Sequence, residues 1–281
     1  MVTTYSGWHT VDLARAPADA PAAFCADLGP EGLLAAYRRG LFPMPAPDEY
    51  AAALNEALFE DRVAAGEIAV LGPAQPPEAP YEVAWWSPDP RPVITVEGAR
   101  LGSRLARRLR NRLGWSTSAD RAFARVVEEC AQGRPQQWLG PGLRASLRSL
   151  HRGGWAHSAE VWDDGGELIG GVFGIRIGPV LSLDSMFNHR TDAARVAVAD
   201  LAARFAEAGG ELLDAQWDSP HIRSLGAEPI PRARYLAVLG QPAAPPSAPS
   251  PLPRALLPAG RLAGRQREPR SRPPRRARVI G

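Results

Sequence analysis

The chain has 281 residues, 45% hydrophobic and 22% charged, which is enough apolar content for a packed core and excludes global disorder. All 33 basic residues are Arg, so lysine Schiff-base chemistry and a P-loop lysine are excluded. Two cysteines, Cys25 and Cys130, exclude a disulfide framework. No apolar run of about 18 residues and no basic-then-apolar leader occurs, so a cytoplasmic protein with no membrane partner is expected.

Residues 1–27 are Ala/Pro-rich and weakly patterned, and read as a flexible N-terminus. A helix is expected from Pro30 to Arg39: proline suits the first turn, Leu33, Leu34 and Tyr37 share a face, and Gly40 stops it. A rigid loop at Leu41–Pro45 leads to an Ala-rich helix over 48–66 and a Pro-rich connector over 72–80. Residues 28–100 then form a small N-terminal domain carrying an insertion at 48–80. The domain closes on Trp85-Trp86-Ser87-Pro88-Asp89-Pro90-Arg91 and a strand at Val93–Val96.

Leu101, Leu105, Leu109 and Leu113 recur every four residues with Arg104, Arg107, Arg108, Arg110 and Arg112 between them, which predicts an amphipathic basic helix. It opens a helical connector, 101–134, whose second helix is expected to start at Ser118 as N-cap and to end near Ala131. A domain over 135–240 follows, with a helix at 141–152 and strands at Trp155–Trp162 and Glu167–Ile177 around an Asp163–Gly166 turn. A short strand at Val180–Leu183, a helix at Ala193–Ala208 and a strand at Glu211–Trp217 complete it. The fold class is α/β (α+β). Residues 241–281 hold nine Arg and ten Pro against one acid, Glu268, and read as a disordered basic tail, whereas residues 1–240 are net acidic.

Histidines 9, 151, 157, 189 and 221 form no ligand-spaced pair, and there is no G-x-S-x-G elbow. The Arg104–Arg112 face suits phosphates or is a plain solvated face. Trp138, in the loop-like run Gln136–Pro141, suits base stacking or plain packing. Asp214 and Gln216 end an apolar strand and, at period two, point the same way. They line a site or serve as structural hydrogen-bonding groups.

Several motifs occur in order: Leu33-Leu34-Ala35-Ala36-Tyr37-Arg38-Arg39-Gly40-Leu41-Phe42-Pro43, then the Trp85–Arg91 run, then Leu150-His151 with Ala156-His157-Ser158-Ala159-Glu160-Val161-Trp162. Gly170-Gly171-Val172-Phe173-Gly174, Ser185-Met186-Phe187, Asp214-Ala215-Gln216 and His221 with Ser224-Leu225-Gly226-Ala227 complete the set. Over about residues 27–239 this resembles the leucyl/phenylalanyl-tRNA–protein transferase family. The resemblance implies a small N-terminal domain and a GNAT-like acyltransferase domain. It also implies transfer of Leu or Phe from tRNA to the α-amine of a protein beginning with Arg or Lys, in the N-degron route, by a monomer without cofactor.

By the same resemblance, Asp214 and Gln216 form the catalytic D-x-Q motif, Gln216 holding the reacting groups and Asp214 fixing Gln216. Trp138 stacks on the terminal adenine, and Val172, Met186, Leu201, Phe205 and Leu213 wall the aminoacyl pocket; the basic helix face, with Arg104 and Arg108, is assigned to tRNA phosphates on its charge. Asp184 pairs with the acceptor's basic residue. Departures from the family pattern are Asp184 for the usual Glu, Arg195 for Lys, Met44 for Trp and Leu147 for Tyr. The alternatives are a relative that binds tRNA or Arg-bearing peptides without efficient catalysis, and an acetyl-CoA-dependent acetyltransferase. The latter lacks its glycine-rich loop before Ala193.

Overall fold

In the computed structural model, residues 7–72, 80–132, 138–240 and 250–264 are described. The small N-terminal unit is built on four short strands. β1 (Ala23–Phe24) is followed by helix α1 (Pro30–Arg38), β2 (Phe42–Pro45), helix α2 (Glu49–Ala64), β3 (Ala69–Val70) and β4 (Val83–Trp86), and the sheet order is β2-β4-β1-β3. Pro30 begins α1 as expected, and the chain leaves it through Gly40 at φ 80, where a Cβ would lie 2.6 Å from Leu236 Cδ2. The Asp48 carboxylate caps α2 by accepting the Ala51 N–H at 2.8 Å.

The expected flexible N-terminus is packed from residue 7 onward. Trp8, Val11 and Leu13 are buried, Trp8 meets Trp85 edge-on at 4.6 Å, and Arg39 donates to the Val11 carbonyl at 2.7 Å. Three apolar residues in a weakly patterned segment, with Arg232 donating to the Ala16 and Pro17 carbonyls, hold it on the core.

The second sheet takes β5 (Arg91–Thr95), then, after helix α3 (Ser103–Asn111), β6 (Ser116–Ala119). Helices α4 (Phe123–Ala131) and α5 (Pro141–Arg152) precede β7 (Ala156–Trp162), β8 (Leu168–Ile177), β9 (Val180–Ser182) and β10 (Ser185–Asn188). Helix α6 (Ala193–Glu207), β11 (Leu212–Asp214), α7 (Pro220–Leu225), β12 (Glu228–Ile230), α8 (Arg232–Leu239) and β13 (Leu257–Pro258) follow. The order is β12-β5-β11-β9-β8-β7-β6-β13, with β10 on β8 alone.

Two boundaries expected from the sequence change. Because β5 and β6 are strands of this sheet, the larger domain begins near Arg91 rather than at 135, and 101–134 is no connector. Ser118 lies in β6, where its hydroxyl donates to Glu160 at 2.5 Å, instead of capping a helix. Pairing with β7 overrides its capping propensity.

The sheet separates two cores. Alternation along β9 and β11 puts Val180 and Leu212 on the face shared with Leu33, Phe42 and α5, and Leu181 and Leu213 on the face shared with α3 and α6. The expected disordered tail is corrected in part: β13 pairs with β6, Leu252, Ala259 and Leu262 are buried, and Arg261 pairs with the buried Asp200 of α6. The rest of 241–281 lies outside the described residues. Among the described residues no helix is long and apolar enough to cross a membrane.

The sheet forks at the end of β9. β9 pairs with β8 on one side and β11 on the other, whereas its continuation β10 stays with β8. β8 reaches the fork by close backbone approach: a Cβ at Gly174 would fall 1.5 Å from the Ser182 carbonyl oxygen, so only glycine fits.

Candidate active site

The fork gathers polar side chains that an apolar sheet core would otherwise reject. Arg91, the first residue of β5, meets Asp214, the last of β11, in a buried two-point ion pair, Nε to Oδ1 at 2.8 Å and Nη2 to Oδ2 at 2.6 Å. The guanidinium carbon lies 4.6 Å from the ring centroids of both Phe42 and Tyr235. Tyr235 of α8 donates to Asp214 Oδ2 at 3.0 Å, and the Gln216 backbone N–H donates to Oδ1 at 3.0 Å. Each Asp214 oxygen therefore holds two donors, and this carboxylate is a fixed anchor. Burial lowers the Arg91 pKa, but the Asp214 charge more than offsets this and holds the guanidinium firmly protonated.

Strand β11 stops at Asp214. Gln216 sits at φ 63, and the Trp217 N–H donates to the Ala215 carbonyl at 2.7 Å, closing a three-residue turn. This overturns the period-two expectation, since a left-handed turn, not an extended strand, aims Gln216. Such a conformation costs a non-glycine residue about 1–3 kcal/mol, and the bond to Asp214 helps hold it.

The Gln216 side chain then enters a second cluster. Its Nε2 donates to Ser182 Oγ and to Asp184 Oδ1, both at 2.8 Å. Ser182 Oγ and the Tyr37 hydroxyl also donate to Asp184 Oδ1, each at 2.9 Å. Both Nε2 protons are spent, so what Gln216 offers a substrate is its carbonyl oxygen. Asp184 Oδ2 accepts no hydrogen bond among the described residues. Burial pushes the Asp184 carboxyl up to about 7, with the hydrogen bonds from Tyr37, Ser182 and Gln216 opposing and the Asp214 charge reinforcing the rise. Burial next to Asp184 also raises the Tyr37 hydroxyl well above its ordinary value, so it acts as a neutral donor.

The structure therefore joins Asp184, Asp214 and Gln216, which the sequence indicated. It adds Arg91, Ser182, Tyr37 and Tyr235, which sequence reasoning left without a role. Tyr37 and Arg91 stood inside quoted motifs, and a buried-arginine position after a proline run was their available signal. Nothing in the sequence marks Tyr235.

Trp138 is half-buried and lines a cavity of about 480 Å³ with Leu28, Gly29, Pro45, Gly140 and Ser146. Helix α1 connects this cavity to the cluster: Gly29 is its N-cap and Tyr37 lies in its last turn. Eight residues at 1.5 Å rise set the two about 12 Å apart along the axis. Val172, Leu201, Phe205 and Leu213 are fully buried in the core beneath α6, with Met186 packed against them. Arg104 and Arg108 are on α3, whose Leu105 and Leu109 belong to that same core, while Trp138 packs on the other; the structure does not bring them together. Arg108 pairs with Asp192 at 3.3 Å.

The profile of the family described as leucyl/phenylalanyl-tRNA protein transferase matches residues 93–240, and that of its N-terminal domain matches residues 26–50. A leucyl/phenylalanyl-tRNA–protein transferase from Chromohalobacter salexigens is 38% identical over 218 residues, covering 76% of this chain and 72% of the relative. The protein of that name from Ruegeria pomeroyi is 46% identical over 154 residues, 55% of this chain and 72% of the relative. Among solved structures, L-PGS from Bacillus licheniformis overlaps 47% of this chain and 48% of its own at 16% identity, with a TM-score of 0.33, too low to carry an argument.

Proposed function

The chain belongs to the leucyl/phenylalanyl-tRNA–protein transferase family and is an aminoacyltransferase acting between aminoacyl-tRNA and protein, and from that premise we propose the following division of labour. Leu or Phe leaves its tRNA ester for the α-amine of a protein with N-terminal Arg or Lys, in the cytoplasm and within the N-degron route. The observation that carries this reading is the Asp184–Gln216 pair, a carboxylate with one unpartnered oxygen bonded to a pinned amide.

In the reaction, the neutral amine attacks the ester carbonyl, its proton passes to a base, and that base returns a proton to the ribose oxygen, which leaves as a hydroxyl. Asp184 Oδ2 suits that role, because a carboxyl near 7 is matched to an α-ammonium of about 7.7–8.0. Oδ1, already holding three donors, is not available to a guanidinium fork, so Asp184 meets the acceptor at its α-amine. The Gln216 carbonyl accepts the amine's other hydrogen, and Asp214 acts as a positioning residue through the Gln216 backbone. Arg91 and Tyr235 hold Asp214 in turn.

Trp138 takes the terminal adenine in its cavity. The start of α5 at Pro141 opens on the same space, and its positive dipole end favours the neighbouring phosphate. Val172, Met186, Leu201, Phe205 and Leu213 wall the site for the aminoacyl side chain. Arg104 and Arg108, on the other face, are left for the body of the tRNA, and loss of tRNA affinity with rising salt tests that contact.

Labelled Leu-tRNA and Phe-tRNA, offered with Arg-, Lys- and Ala-starting peptides, test the whole reading. Transfer to the first two peptides and little to the third is expected. Equal transfer to all three would overturn the basic-residue preference.

A further inference from the structure

Immediately after Gln216 stands Trp217, a large aromatic that is 38% exposed. It is not loose. Its ring meets Phe42 at 5.4 Å and 88°, and Trp86 at 4.9 Å and 69°, two edge-on contacts that fix the indole against the N-terminal sheet. Phe42 is itself pinned by the Arg91 guanidinium. Trp86 meets Phe59 of α2 at 6.3 Å, so the ledge runs on to the insertion helix, and Met44, 41% exposed, lies two residues beyond Phe42 on β2. A rigid, half-exposed indole on the residue next to Gln216 is a ready anchor for an apolar group of a substrate.

We propose that Trp217, backed by Phe42 and Trp86, is the subsite for the second residue of the acceptor polypeptide and favours an aromatic or large aliphatic side chain there. The inference rests on the acceptor reading above. If the α-amine lies at Asp184 and Gln216, the second residue's Cα is about 3.8 Å beyond the first residue's Cα, within side-chain reach of the residue that follows Gln216. Charge favours a peptide amine here: α2, which borders the ledge, carries Glu49, Glu56, Glu60 and Asp61 against a single Arg62, already paired with Glu67 at 2.8 Å. That field draws a cationic N-terminus.

The test uses the full-length protein and two peptides, Arg-Phe- and Arg-Gly-starting, which have no aminoacyl donor in the absence of tRNA, titrated calorimetrically into wild type, Trp217→Phe and Trp217→Ala. Wild type and Trp217→Phe should prefer the Arg-Phe peptide about tenfold, and Trp217→Ala should lose that preference while its affinity for the Arg-Gly peptide changes less than about twofold. A second arm measures KM in the transfer assay: the KM for the Arg-Phe peptide should rise in Trp217→Ala and that for aminoacyl-tRNA should not. Equal weakening toward both peptides, no peptide preference in wild type, or a raised KM for aminoacyl-tRNA alone would overturn the proposal, the last by assigning the ledge to RNA. Absence of transfer by wild type would instead strike the functional reading, since the calorimetric arm needs no transfer.

Discussion

At the scale of single residues, the proposed site rests on two carboxylates, both hydrogen-bonded to Gln216, with opposite surroundings. Asp214 is saturated by Arg91, Tyr235 and the Gln216 N–H, whereas Asp184 keeps one buried oxygen without a hydrogen-bond partner among the described residues and is pushed up to about 7 by burial. The kcat/KM for acceptor should therefore rise with pH through an apparent pKa near 7, and in Asp184→Asn most transfer should be lost and the remaining limb should move to the amine's own ionisation at about 7.7–8.0. A pH-independent ratio in wild type would contradict the assignment. Stability has the opposite sign. The folded carboxyl holds its proton to about 7 while the unfolded one releases it near 3.8, so the fold loses stability as pH rises between those values. Chemical denaturation of wild type and Asp184→Asn across that window should show this contribution as a steeper loss of stability in the former. Arg91→Met strands Asp214 in the core and should cost about 3–5 kcal/mol in the same assay. The carboxylates and Gln216 were legible in the sequence because they sit in short motifs. Their partners were not: Arg91 lies 123 residues from Asp214 and Tyr37 lies 147 from Asp184, and only the folded sheet brings them into contact.

At the scale of elements, helices with a clean period were readable: the middle of the four-residue leucine repeat became α3, with Leu101 and Leu113 outside it, and the Ala-rich run became α6. Ser116–Ala119 was not, because four small and polar residues carry no strand alternation and resemble a helix cap; pairing with β7 decides their state. The fork depends on one such local detail, Gly174. A Cβ there meets the Ser182 backbone, not a flexible side chain, so Gly174→Ala must push β9 away from β8. It should lower both Tm and transfer, because Ser182 holds Gln216. Retained Tm with retained activity in Gly174→Ala would contradict the fork as drawn.

At the scale of the whole molecule, the net charge of +3 describes no single surface. The acidic body carries the site, and much of the positive excess sits beyond residue 240. Part of that tail is structural: Leu252 and Leu262 complete the core under α6, and Arg261 joins Arg204 and Thr117 on Asp200. Composition hid this, since proline and arginine dominate the segment while a few apolar residues fasten it. Leu262→Ala should cost about 2–5 kcal/mol and lower Tm by about 2–4 °C for each kcal/mol. An unchanged melting curve would show the segment to be dispensable. The central claim is that the Asp184–Gln216 pair carries aminoacyl transfer to a protein amine. Single-turnover transfer of labelled Leu from Leu-tRNA to an Arg-starting peptide tests it most directly, with wild type, Asp184→Asn and Gln216→Ala compared at saturating substrates. The account predicts transfer by wild type and a loss of about 100-fold or more in each variant with folding intact. Wild-type transfer no faster than that of Gln216→Ala would contradict it.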